Sequence, residues 1–154
     1  MDHPSAQYIP ILYKRYAKAW QKMRAQSEFV EKSWLDRFID QLTPAGNVID
    51  LGCGSGYPIA AYLLSYGFNI EGIDSSKPFI KSAKKAFPSA SWQLEDMRSF
   101  PITTQYEGII AWDSFFHLTR DEQKKMFARF SQLAKSGAPL MFTNGHENGE
   151  AIGD

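Results

Sequence analysis

The chain of 154 residues has one cysteine, Cys53, so no disulfide can close within it. Such usage fits a reducing compartment. It also lacks net charge: 17 basic residues balance 17 acidic ones, which leaves no overall field to draw nucleic acid or an anionic membrane. No apolar run approaches the roughly 20 residues that span a bilayer. The stretch from Met1 to Gln7 has neither the basic nor the apolar region of a signal peptide, and no repeat or low-complexity segment follows. These absences leave a soluble cytoplasmic protein as the expectation, with no nucleic-acid partner, no membrane and no metal. What is present is 44% hydrophobic and 14% aromatic, too apolar for disorder and long enough for one domain with a sizeable core.

The most informative stretch runs from Val48 to Tyr57, V-I-D-L-G-C-G-S-G-Y. An apolar strand ends on Asp50, and Gly52, Gly54 and Gly56 then alternate with Leu51, Cys53 and Ser55. Glycine permits φ > 0 and lets a ligand approach the main chain with no Cβ in the way. A helix from Pro58 to Ser65 follows, with proline suited to a first turn and Gly67 to the C′ position. The free N–H groups of a helix start attract an anionic ligand group. The alternative is a glycine loop that merely turns the chain. A dinucleotide fingerprint needs G-x-G-x-x-G, and Tyr57 stands where its third glycine would fall, so a nicotinamide dehydrogenase is disfavoured.

Strand and helix signals alternate after this point. A second strand over Asn69–Ile73 stops on Asp74, about twenty residues past the glycines. In a doubly wound sheet that spacing puts its carboxylate near the ribose of a bound nucleotide; the competing role is a helix-capping acid. Ser75 and Ser76 form the turn and cap of a helix from Pro78 to Phe87. A third strand, Ser91–Leu94, leads to Glu95, Asp96 and Met97. A fourth, Tyr106–Trp112, is apolar enough to be a buried parallel strand. It ends at Asp113-Ser114-Phe115-Phe116-His117, where the carboxyl ends of strands open to ligands. Phe115 and Phe116 are placed to floor an apolar pocket. His117 is the candidate general base, or else a capping or packing residue. Thr119 and Glu122 form a capping box for a helix from Arg120 to Lys135, with Met126, Phe127, Phe130 and Leu133 buried. Ala138–Phe142 is the fifth strand. Before all of these, a helix over Ser27–Leu42 is expected to bury Trp34, Leu35 and Phe38. An amphipathic helix over Tyr8–Met23 precedes it, carrying Tyr13, Tyr16 and Trp20 on one face. The expected fold class is α/β, a three-layer αβα sandwich around a doubly wound, mainly parallel sheet. Residues 1–43 would form two N-terminal helices, 44–142 the core, and 143–154 a polar tail.

The segment around Asp50 resembles the first motif of the class I S-adenosylmethionine-dependent methyltransferases, D-x-G-x-G-x-G. The resemblance runs from Tyr13 to Phe142 and implies a Rossmann-like fold with strand order 3-2-1-4-5, S-adenosyl-L-methionine as methyl donor, S-adenosyl-L-homocysteine as product and a small-molecule acceptor. It implies that Asp50 with the main chain of Gly52, Cys53, Gly54 and Gly56 holds the methionine part of the donor, with the Trp112 backbone facing the amine. Asp74 and Ser75 lie at the ribose, and Asp96 and Met97 at the adenine. Tyr13 and Trp20 match a lid helix of the type Y-D-x-x-A-x-x-W, although Lys14 replaces its aspartate. Cys53 reads as a small filler. The family's sheet normally continues with a helix and an antiparallel pair, which this chain is expected to lack. That leaves strand five as a bare edge open to a second copy of the chain. The alternative function is a truncated cofactor-binding or interaction module without methyl transfer.

Overall fold

The computed structural model describes residues 29–145. Its centre is a sheet of β1 (Asn47–Leu51), β2 (Asn69–Asp74), β3 (Ser91–Leu94), β4 (Gly108–Ala111) and β5 (Leu140–Phe142). The spatial order is β3-β2-β1-β4-β5. All four pairings are parallel, for example Val48↔Ile70, Ile49↔Ile109, Gly72↔Trp92 and Ile110↔Met141. The order and strand direction match the expectation drawn from the sequence.

Strand side chains alternate faces, and two cores result. Val48, Ile70 and Ile110 pack against three helices, α1 (Lys32–Ile39), α2 (Ile59–Ser65) and α3 (Lys77–Ala86). Ile49, Leu51, Ile73 and Ile109 pack against α4 (Arg120–Leu133), through Met126, Phe130 and Leu133. The sheet is thus covered on both sides, which is why its strands read as continuous apolar runs.

Some boundaries and burials differ from expectation. The helix expected over Ser27–Leu42 is α1, ending at Ile39, with Leu42 in a turn bonded back to the Ile39 carbonyl at 3.0 Å. Ser27 lies outside the described residues. Trp34 is not buried: 52% of it is exposed, and Arg37 lies 5.4 Å over its ring. Strand four starts at Gly108 because Tyr106 pairs elsewhere. Its N–H bonds the Leu133 carbonyl at 2.8 Å, and its carbonyl accepts from Lys135. Phe127 sits one position round from the α4 stripe and is 49% exposed. Two termini form as expected. Gly67 takes φ +84° after α2, with Phe68 N–H bonding the Leu63 carbonyl and Gly67 N–H that of Leu64, a Schellman closure. Thr119 and Glu122 form the capping box of α4. Among the described residues no helix is long and apolar enough to cross a membrane, and no cluster of metal-ligating side chains occurs.

Candidate functional site

The segments that leave the carboxyl ends of β1, β2, β3 and β4 converge, and the glycine turn after β1 is their meeting point. Its main chain is tied to β2: Gly52 N–H bonds the Ile73 carbonyl at 2.7 Å and Cys53 N–H the same oxygen at 3.1 Å. Gly54 N–H bonds Asp74 Oδ2 at 2.9 Å. The three glycines serve different ends. A Cβ on Gly52 would lie 2.3 Å from Ser114 Cβ and 3.3 Å from Met97 Cε. Ser114 is locked there by its hydroxyl, which donates to the Leu51 carbonyl at 2.6 Å. A Cβ on Gly56 would meet the Phe87 and Trp92 rings. Gly54, at φ +56°, faces open space, with nothing within 4 Å of its Cβ position. Only at Gly54, then, does the absent side chain leave room for a ligand. Cys53 is buried with its Sγ over Gly72. Burial, then the Asp50 and Asp74 charges, holds its thiol protonated, so it is a filler and no nucleophile.

Three acids stand at or just past the carboxyl ends of β1, β2 and β3. Asp50 is 2% exposed. Its pKa is pushed up to about 7, first by burial and then by the charge of Asp74; no hydrogen bond among the described residues offsets this. Such a carboxylate suits a cationic partner. Asp74 is also raised by burial, against the bonds it accepts from Ser76 and Gly54. Its Oδ1 takes Ser76 N–H at 2.8 Å, so it braces the glycine turn and caps the entry to α3 together. A carboxylate has about four lone-pair sites, so acceptor capacity remains. Ser75 beside it is exposed. Asp96 is joined to this end through Glu95 N–H, which bonds the Asp74 carbonyl at 3.1 Å. Arg98 spans the Asp96 carboxylate, with Nη2 2.6 Å from Oδ2 and Nε 2.9 Å from Oδ1. That guanidinium holds Asp96 below the usual carboxylate range.

The far rim is built by the chain after β4. Trp112 is half-buried. Asp113 adopts φ +50° and donates its amide to Thr143 Oγ1 at 2.8 Å. A 3₁₀ turn over Phe115–His117 follows. Phe115 does not floor a pocket: it is 1% exposed and packs on Phe127, Phe130 and Phe142. Phe116 is 42% exposed beside His117, ring centroids 4.3 Å apart. Burial lowers the His117 pKa, so its imidazole is neutral at pH 7 and able to accept a proton. Tyr13, Trp20 and the helix expected over Tyr8–Met23 lie outside the described residues. A cavity of about 430 Å³ opens at the opposite, amino ends of the strands, between Asn47, Asn69, Glu71 and Tyr106. Glu71 there is already engaged by Tyr106 Oη at 2.6 Å and by Gln93, so the unsatisfied chemistry belongs to the other end.

Sequence reasoning brings Asp50, Gly54, Asp74, Asp96 and Met97 to one end of the sheet. It misses Ser114, Arg98, Thr143 and Arg129. Ser114, Thr143 and Arg129 act on loops far away in the chain, and no local pattern announces them; Arg98 acts on Asp96, two residues before it.

Comparison with known proteins agrees with this geometry. The sequence pattern of the methyltransferase domain matches residues 48–137. An uncharacterized methyltransferase of Bacillus cereus is 33% identical over 100 residues, covering 64% of this chain and 47% of the relative. The chain thus spans about half the length of the curated relatives it matches. A protein of Pyrococcus horikoshii superposes with a TM-score of 0.64 at 25% identity, over 73% of this chain and 55% of that one. A TehB-like SAM-dependent methyltransferase of Corynebacterium glutamicum gives 0.68 at 24% identity, over 86% and 72%.

Proposed function

The chain belongs to the methyltransferase-domain family and has the Rossmann-like fold of the class I S-adenosylmethionine-dependent enzymes, and on that premise we propose that it binds S-adenosylmethionine at the carboxyl ends of β1, β2 and β3 and methylates a small molecule. The observation that carries the reading is the open main chain at Gly54, with Asp74 bonded to its N–H and Asp50 and Asp96 at or just past the carboxyl ends of the two flanking strands. When bound, the donor supplies a methyl group on a sulfonium, which passes to a nucleophile in one displacement and leaves S-adenosylhomocysteine.

The residues fit that donor. Asp50, buried and without a hydrogen bond among the described residues, receives its ammonium group. Asp74 and Ser75 stand at the ribose hydroxyls, and Asp96 and the Met97 N–H at the adenine. The Trp112 main chain lies beside the methionine part. The loop after β4 then holds the acceptor. Alignment of the two at near-attack distance lowers the barrier by several kcal/mol. For a hydroxyl acceptor, neutral His117 takes the proton that the nucleophile loses. The balanced charge supports a small acceptor over nucleic acid. The single cysteine supports a cytoplasmic location, and the β5 edge supports pairing with a second copy.

Calorimetric titration with S-adenosylhomocysteine, beside NAD as control, tests the reading. The wild type is expected to bind the first and not the second. Gly54→Val should abolish that binding, because its side chain enters the free space. His117→Ala should keep the binding and slow turnover with a hydroxyl acceptor by roughly 100-fold. Binding of NAD alone, or full affinity in Gly54→Val, contradicts the proposal.

A further inference from the structure

The turn that carries Asp96 and Met97 is held by a side chain from α4, which packs in the same core as Met97 and Phe100. Ser99 and Phe100 N–H groups both bond the Asp96 carbonyl at 3.0 Å, which closes the turn. The carbonyls of Met97 and Phe100 point outward, and one guanidinium takes both. Arg129 Nε lies 3.0 Å from the Met97 carbonyl and Nη2 2.5 Å from that of Phe100. The same guanidinium lies 4.7 Å over the Phe100 ring, which is itself 5% exposed. Arg129 stands on α4 between Met126 and Phe130, both buried, so its stem leaves a rigid element.

From this geometry we infer that Arg129 is a positioning residue for adenine recognition: by holding the carbonyls of Met97 and Phe100 it fixes the turn on which Met97 stands, so that the Met97 N–H meets the adenine ring. The inference rests on the donor site proposed above and extends it to a residue about thirty positions downstream. The fork of arginine is what the site uses. Two carbonyls and a ring face are engaged by one planar group, which the point charge of lysine does not reproduce. Arg98 acts separately, on the Asp96 carboxylate.

The test compares S-adenosylhomocysteine with S-inosylhomocysteine, which carries an oxo group where adenine has its amine. Dissociation constants are measured for wild type, Arg129→Ala and Arg129→Lys, with urea unfolding as the check on folding. The wild type is expected to prefer the adenine form. Arg129→Ala should lose about tenfold in affinity for it and much less for the inosine form, so that the preference collapses; Arg129→Lys should fall between. Equal losses for both ligands, or an unchanged preference, overturn the inference. If Arg129→Ala does not fold, Arg129→Lys keeps the charge and stem and the same comparison decides. A wild type that binds neither ligand instead removes the donor site, and the inference with it.

Discussion

Asp50 is the penultimate residue of β1, among apolar side chains, and its surroundings give the protein a pH dependence. In an unfolded chain its pKa is about 3.9; in the folded protein it is about 7. Between those values the folded state keeps a proton that the unfolded state has lost, so stability falls as pH rises from about 4 to 7 and levels off above. Asp74 shifts in the same direction and adds to the slope. Asp50→Asn should therefore be more stable than the wild type at pH 8 and show a flatter profile. The difference is bounded by about 1.4 kcal/mol for each pH unit separating the two pKa values. Urea midpoints across that range measure it, and an unchanged slope would contradict the assignment. A bound ammonium reverses the effect on Asp50, so affinity for S-adenosylhomocysteine should rise with pH up to about 7.

The glycines make a second residue-scale contrast. Gly52→Ala drives a Cβ into Ser114 and should cost about 2 kcal/mol or more. Adding Ser114→Gly should return part of that loss, measured in a double-mutant cycle.

At the scale of elements, α4 connects the parts of the site. Its capping box is reciprocal: Glu122 N–H bonds Thr119 Oγ1 at 3.3 Å and Thr119 N–H bonds Glu122 Oε2 at 2.9 Å. The other oxygen of Glu122 accepts from Arg98 at 2.5 Å. The cap thus joins the loop after β3 to the turn that carries His117. Thr119→Ala is expected to cost about 1 kcal/mol, as for other N-caps, seen as a lower urea midpoint with an unchanged m-value. Arg98 and Glu122 are partly exposed, so breaking that ion pair alone should move stability by less than 1 kcal/mol.

At the scale of the molecule, β5 pairs with β4 on one side only among the described residues. Beside it Phe127 is 49% exposed and in edge contact with Phe142. An unpaired edge next to an exposed aromatic favours association. Sedimentation at micromolar concentration should show a dimer for the wild type and a monomer for Phe127→Glu. A monomeric wild type would contradict the pairing.

What the sequence determined by itself was whatever has a local cause. Glycine spacing, the acids at or just past the strand ends, the Thr119 capping box and the alternation of apolar runs with helices specify element order, because turn and cap chemistry acts within a few residues. Strand order came from the resemblance to the class I methyltransferases, and the pairings bear it out. What only the tertiary structure decided is which absence of a side chain makes room for a ligand and which for a neighbour. Gly52 and Gly54 look alike in sequence, yet Ser114, arriving from β4, fills the space over the first and leaves the second open. The same holds for Phe115, which belongs to the core and not to the pocket. It holds for Arg129, whose partners are carbonyls brought to it only when α4 packs beneath the sheet. Long-range packing assigns such roles, and no periodicity carries them.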